Sequence, residues 1–198
     1  MNLEEYRAVF IVGGLVLSLI ASAPALSLVL PFPGGERFSE LWVLGPGGMA
    51  EDYPFNVGVG ESYLVYVGVG NHMGSSAYYV AYVKFRNQSE ALPNATAGTP
   101  SLLVPLFEYR VFLEEGESWE APLTFSFSGV SFFGNRCLVE SLVMNDVVFS
   151  VDKLALWDEE NSGFYYQVFI ELWMYKAESD EFQFHNRFVS RWLNMTSV

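Results

Sequence analysis

Side chains that switch between apolar and polar at every second position commit a chain to strands, because successive Cβ atoms leave a strand on opposite faces. This pattern governs most of the sequence. Phe107, Tyr109, Val111 and Leu113 alternate with Glu108 and Arg110. After Glu115-Gly116, the apolar positions Trp119, Ala121, Leu123, Phe125 and Phe127 alternate with Glu120, Thr124 and Ser126. The two arms predict a hairpin with one buried and one wet face. Pro122 falls on the wet face and removes a ladder donor, which predicts an edge strand there. The same reading places strands at 38–44, 62–69 and 77–85, and the last two, flanking the turn Asn71-His72-Met73-Gly74, predict a second hairpin. Residues 138–144 and 147–151 flank Asn145-Asp146, a third turn. Residues 164–175 and 182–195 form the final pair around 177–181. No helical periodicity of useful length follows residue 35, and no internal repeat is present. Aromatic residues make up 17% of the chain, and they pack well on a pleated, half-buried surface. The expected fold is mainly β: an antiparallel immunoglobulin-like β-sandwich of about eight or nine strands.

A second constraint precedes this domain. No charged residue occurs between Arg7 and Glu36, and residues 8–30 read AVFIVGGLVLSLIASAPALSLVL. As a helix, this stretch would reach about 35 Å, enough for a bilayer core of about 30 Å. The sequence therefore predicts a short tail (1–7), a transmembrane helix (8–30) kinked near Pro24, a linker (31–37) and an extracellular β-sandwich domain (38–198). The tail MNLEEYR lacks the net positive charge of a cleavable signal, and Pro24 would follow the small residues Ala21-Ser22-Ala23, so an uncleaved anchor is expected.

Arg7 and Arg37 flank the span on either side and do not orient it. Orientation comes instead from three N-x-S/T sequons at Asn87, Asn94 and Asn194. They make those asparagines candidate glycosylation sites and predict an outward-facing domain. The net charge of −13 excludes a nucleic-acid-binding role, which needs a basic surface. Cys137 is the single cysteine, so no internal disulfide forms, and its neighbours Leu138 and Val139 predict a buried thiol.

The chain carries no recognisable catalytic motif. His72 and His185 are far apart in sequence, and no metal-ligand spacing such as H-x-x-x-H or C-x-x-C occurs. Asp158-Glu159-Glu160-Asn161 lacks the spacing of a calcium loop and reads as a solvated acidic loop. The runs GVGVGE and GVGN lie in or beside strands, not at a helix start, and are not phosphate loops. No catalytic, metal or cofactor residue is assigned. The final hairpin is the richest surface. If its turn centres near Ser179, Tyr165, Phe169, Glu171, Trp173 and Tyr175 share a face with His185, Arg187 and Arg191, with Glu171 opposite Arg187 and Trp173 opposite His185. That face is a candidate partner surface, since Trp, Tyr and Arg are enriched in binding hot spots. The competing reading is that it packs against another layer or lies under the loop 87–101.

Four segments, FSELWVLGPGGMAEDYPFNVGVGE, VYVGVGNHMGSSAYYVAYVKFRNQSEALPNATAGTP, EYRVFLEEGESWEAPLTFSFSG and FYYQVFIELWMYKAESDEFQFHNRFVSRWLNMT, resemble an archaeal family of membrane proteins defined by domain of unknown function 1616. The resemblance implies an archaeal membrane protein with an exported β domain and carries no activity with it. Related chains can have several membrane helices where this one has a single apolar span. Together these readings predict a single-pass glycoprotein of the cell membrane with its C-terminal domain outside. It would be a non-enzymatic binding or structural component of an envelope assembly with a protein or glycan partner. The alternatives are a pilin-like, filament-forming surface subunit and an envelope-glycan-processing enzyme using paired carboxylates.

Overall fold

The computed structural model describes residues 6–7, 10–18, 20 and 36–196. They fall into two compact units, Met1–Arg37 and Phe38–Val198. In the first unit the described residues are helical at 6–7, 10–18 and 20. No helix among the described residues is long and apolar enough to cross a membrane. The expected 23-residue transmembrane helix therefore finds no support in them. Pro24 and the rest of 21–35, including most of the expected linker, lie outside the described residues.

The described residues of the second unit form ten strands. They are β1 (Phe38–Leu44), β2 (Asn56–Val57), β3 (Ser62–His72), β4 (Ala77–Asn87), β5 (Phe107–Leu113), β6 (Ser118–Phe133), β7 (Arg136–Met144), β8 (Val147–Leu156), β9 (Phe164–Lys176) and β10 (Glu181–Met195). One sheet has the order β1-β3-β6-β7-β8 and the other β2-β10-β9-β4-β5. Pairing is antiparallel except between β2 and β10, which run parallel. The tenth strand, beyond the eight or nine expected, is the two-residue β2, too short to show a period.

Alternation produces the core as expected. Tyr79, Ala81, Val83 and Phe85 on β4 and Tyr166, Val168, Ile170, Leu172 and Met174 on β9 turn inward. They meet Leu123, Phe125 and Phe127 of β6 and Cys137, Val139 and Met144 of β7. Burying each large side chain is worth roughly 1.5–3 kcal/mol, so this shared layer dominates the stability of the fold. Phe85 and Phe127 meet across the two sheets with ring centroids 5.9 Å apart. Tyr166 donates its hydroxyl to the Cys137 carbonyl at 2.7 Å. Cys137 is fully buried, and burial pushes its thiol up from the usual value.

Two expected hairpins are not hairpins. β3 and β4 belong to different sheets, as do β5 and β6. Alternation reports which face is buried but not which strand is the neighbour, and both short connections cross from one sheet to the other. Asn71 joins the two crossings. Its backbone N–H donates to the Glu117 carbonyl and its own carbonyl accepts from Gly116. Its Nδ2 donates to the carbonyls of Ser75, Leu113 and Glu114. The Asn145-Asp146 hairpin between β7 and β8 forms as expected, with φ of 44° and 66° at the two residues. Positive φ at both positions is what a two-residue hairpin of the favoured twist requires, and Asn and Asp tolerate it. Pro122 sits in an interior strand, yet β7 pairs with β6 only from Phe125 onward. The β6 segment around Pro122 has β3 as its sole ladder partner, so the missing donor faces no strand.

Asn71 also anchors a polar chain through the sandwich. Because its Nδ2 hydrogens serve carbonyls, its Oδ1 accepts, and Tyr79 Oη donates to it at 3.0 Å. Tyr79 Oη then accepts from Ser39 Oγ at 2.7 Å. Ser39 Oγ in turn accepts from His185 Nε2 at 3.0 Å. One proton per link assigns His185 the Nε2–H form. Ser39, Asn71 and Tyr79 are fully buried. Burial first, then the charges of Lys176 and Arg187, push the His185 pKa down to about 4.

Two measurements test this arrangement. Asn71→Ala orphans several buried groups and is expected to destabilise the domain by roughly 2–4 kcal/mol in chemical denaturation. His185 titrates near 6.5 when unfolded, so between about 6.5 and about 4 the unfolded chain binds more protons. Its contribution to stability is therefore full above about pH 6.5 and lost as pH falls through about 4. Across that window His185→Gln is expected to flatten the pH dependence of the denaturation midpoint.

Candidate functional site

The β9–β10 hairpin forms, but its register differs from the simple count. Phe182 pairs with Tyr175 and Phe184 with Trp173; a bulge at His185-Asn186 intervenes, and Arg187 then pairs with Leu172. Asn186 takes φ of 54°, a conformation Asn accepts more readily than most residues. Beyond the bulge, Phe188 lies opposite Glu171, Arg191 opposite Val168 and Trp192 opposite Gln167. The two extra residues preserve the alternation, so even-numbered residues of β10 face odd-numbered residues of β9 on both sides of the bulge, where the simple count sets odd against odd.

The expected partner surface is dispersed as a result. Arg187 and Arg191 fall on the side of Leu172 and Val168, and the Arg191 guanidinium lies 3.9 Å from the centre of the Tyr53 ring. His185 turns inward to Ser39. Glu171 faces Phe188 and Trp173 faces Phe184, in place of the expected Arg187 and His185. Phe169 and Glu171 are fully buried. Tyr175 is engaged by Asp180 and packs on Phe182. Of the eight residues, Tyr165 alone lines the cleft described below.

Glu171 is buried because the segment 88–106 reaches this face of the sheet. Ser101 N–H donates to Glu171 Oε1 at 2.7 Å, and Trp173 Nε1 to Oε2 at 3.1 Å. Lys84 Nζ lies 2.9 Å from Oε2 and donates also to the Ser101 carbonyl at 3.0 Å. Next along the same face, Arg86 Nε donates to Gln167 Oε1 at 2.6 Å, with both residues buried. The Arg86 guanidinium lies 5.4 Å from the centre of the Trp192 ring.

Beyond this sealed region, an open cleft of about 350 Å³ is lined by Phe55, Gln88, Asp158, Asn161, Tyr165 and Trp192. Local chain geometry assembles it from four places. The Phe55 carbonyl accepts the Asn194 N–H at 2.7 Å, which ties the segment before β2 alongside β10. The Tyr165 and Trp192 rings stand 6.2 Å apart and nearly perpendicular, and Phe55 lies 6.2 Å from Tyr165. The loop between β8 and β9 is closed by the Asp158–Gly163 bridge. Tyr165 Oη donates to the Asn161 carbonyl at 2.6 Å. Asp158 accepts the Asn161 Nδ2, together with the N–H groups of Glu160 and Asn161. The Asn161 side chain foremost, then these backbone bonds, hold the Asp158 carboxyl below its usual value. Gln88 Nε2 donates to the Leu156 carbonyl at 2.9 Å. Its Oε1 is buried with no partner.

The cleft therefore combines aromatic faces with a charged carboxylate acceptor, and Gln88 lines it beside them. That combination suits a ligand with apolar faces and hydroxyl donors along its edges. Trp192 and Phe55 are 43% and 48% exposed, so both rings are available. Sequence reasoning puts Trp192 on the other face, because the turn centres between Glu178 and Ser179 and not on Ser179, which exchanges the faces of β10. It read Asp158 and Asn161 as solvent-facing only, and it passed over Phe55 and Gln88. The one available signal was Asp180, a residue that tolerates positive φ and closes the turn immediately before β10. Among the described residues, no group of three or more His, Cys, Asp or Glu side chains is placed to hold a metal ion. His72 ends β3, stacked on Phe38 at 4.7 Å and 3.6 Å from Glu40. The sequon asparagines lie at the end of β4 (Asn87), within 88–106 (Asn94) and on β10 (Asn194).

Comparison with known proteins gives a family and distant likenesses of fold. No curated protein matches the chain. Among solved structures, a β-glucosidase from Listeria innocua matches at 13% identity and a TM-score of 0.44, over 82% of this chain and 16% of that one. The C-terminal domain of wzt matches at 7% identity and a TM-score of 0.37, over 85% of this chain and 84% of that one. The chain thus spans about one sixth of the β-glucosidase it resembles. The family model for domain of unknown function 1616 matches residues 33–135, just over half of the sequence, and the chain belongs to that family.

Proposed function

We propose that this chain is a non-catalytic binding module of an archaeal cell envelope, and that a glycan is its ligand. In this reading, the apolar stretch 8–30 holds the chain at the membrane and the immunoglobulin-like sandwich faces outward. The observation that carries the proposal is the open cleft in which Phe55, Tyr165 and Trp192 stand beside Asp158, Asn161 and Gln88. A sugar ring offers C–H faces to aromatic rings and hydroxyl edges to acceptors, and this cleft supplies both partners. Large rigid aromatic side chains deliver contact area at low entropic cost.

Other features agree with this reading. Phe10, Ile11, Val12, Leu15, Val16, Leu17 and Ile20 are all exposed on the described helical residues. A helix apolar on all sides is suited to lipid. The charge of −13 disfavours nucleic acid and favours a neutral or basic ligand. Asp158 is the one acid lining the cleft among the described residues. Hydrolysis by paired carboxylates needs a second acid about 5–10 Å away across the bound ligand, so binding is the better reading.

The test is a screen of the full chain in detergent against neutral oligosaccharides, followed by titration calorimetry of the best ligand. Trp192→Ala and Phe55→Ala are each expected to weaken binding about tenfold or more, with unchanged circular dichroism. No binding by any glycan, or equal binding by Trp192→Ala, would overturn the proposal.

A further inference from the structure

The three sequons are alike in sequence but not in the fold. N-glycosylation joins the asparagine Nδ2 to C1 of a donor sugar. The C1–O bond to a lipid-linked pyrophosphate breaks, the amide loses one proton and the lipid pyrophosphate leaves. The reaction needs a reachable Nδ2 and, two residues on, a reachable hydroxyl. Each of these groups can be checked at each site.

At Asn87 both are engaged. Nδ2 donates to the Leu154 carbonyl at 2.8 Å. Ser89 Oγ donates to Asn87 Oδ1 at 2.9 Å, and the N–H groups of Ser89 and Glu90 donate to the same oxygen. The side chain closes the turn after β4 and ties it to the edge of β8. At Asn194 both are engaged again. Nδ2 donates to Asn56 Oδ1 at 3.0 Å, and Oδ1 accepts the Phe164 N–H at 3.2 Å. Thr196 Oγ1 donates to the Val57 carbonyl at 3.2 Å. Asn194 is also wedged against Gly163, where an added Cβ would stand 2.3 Å from Asn194 Oδ1.

Asn94 differs on every count. It is exposed, as are Thr96, Ala97 and Gly98. Its Oδ1 accepts the Ala97 N–H at 2.9 Å, which holds the turn. Among the described residues neither its Nδ2 nor Thr96 Oγ1 has a hydrogen-bond partner. The backbone bonds between Asn94 and Thr99, together with Gly98 at φ 68°, fold the turn outward on small side chains. A glycan can leave Nδ2 here without breaking a native bond.

We infer that in the folded chain Asn94 is the site of N-linked glycan attachment, and that Asn87 and Asn194 are structural asparagines in sequon context. Its occurrence in the cell rests on the outward-facing reading above; the acceptor chemistry does not, and neither depends on the cleft. The experiment incubates the folded full chain with a purified single-subunit oligosaccharyltransferase and a lipid-pyrophosphate-linked oligosaccharide. Peptide mass spectrometry maps occupancy over time, with the urea-unfolded, diluted chain as a parallel substrate. The folded chain is expected to gain one glycan at Asn94, at least about tenfold faster than at either other site. Asn94→Gln is expected to abolish modification of the folded chain, while the unfolded chain is modified at Asn87 and Asn194 as well. Comparable occupancy at Asn87 or Asn194 in the folded chain would overturn the inference, as would a folded chain left unmodified at Asn94.

Discussion

The carboxylate of Glu171 determines how the second sheet can be used. It is fully buried and receives the Ser101 N–H, the Trp173 indole N–H and the Lys84 ammonium. A buried charge is costly unless its partners are well placed, and removing one partner of such a pair typically costs about 3–5 kcal/mol. Here the partners come from β4, β9 and the segment 88–106, so one group fixes that segment to the sheet. Lys84 completes the arrangement by donating to the Ser101 carbonyl as well. The result is a sheet whose central strands are buried on both faces: Lys84 and Arg86 on β4, and Gln167, Phe169 and Glu171 on β9, all on the side away from the main core.

Sealing the centre leaves the open cleft at the margin. The segment 88–106 does more than cover. Asn87 and Gln88 donate to the carbonyls of Leu154 and Leu156 on β8, and Glu90 pairs with Lys153. These bonds occupy part of an edge strand that would otherwise offer free backbone groups to another chain. They also carry Gln88 to the rim, where it lines the aromatic cleft. The bulge at His185-Asn186 supplies the other half. It turns His185 into the polar chain with Ser39, Tyr79 and Asn71, and it shifts the register by two, setting Trp192 opposite Gln167 with its ring 6.2 Å from that of Tyr165. One irregularity in β10 thus both closes the interior at one point and sets the position of Trp192 further along the strand.

What could be read from the residues follows from what periodicity encodes. The strands from Phe38 to Met195, the Asn145-Asp146 turn and the burial of Cys137 were legible, because each depends on local pattern or chemistry. Pairing was not. β3 and β4, and β5 and β6, show clean alternation with short connections, and nothing local separates a hairpin from a crossing. Asn71 decides the matter through bonds to residues more than forty positions away. The candidate site was less legible still. Tyr165 reads as part of an exposed face, but a turn centred on Ser179 puts Trp192 on the wrong one, because the actual turn lies half a residue earlier. Phe169 and Glu171 were drawn to the surface because the cover at Ser101 acts through backbone groups that any sequence could supply. The alternative in which the loop 87–101 lies over this face agrees with the structure, through Ser101.

The central claim is that the cleft between Phe55, Tyr165 and Trp192 is where this domain meets a glycan. Nuclear magnetic resonance of the labelled chain during titration with an oligosaccharide tests it most directly. The account predicts that the Trp192 indole N–H and the Gln88 side-chain amide shift first and furthest, with the Trp42 and Trp119 indoles unmoved. Shifts centred elsewhere, such as on the exposed stretch around Leu102 and Val104, with Trp192 unchanged, would contradict it.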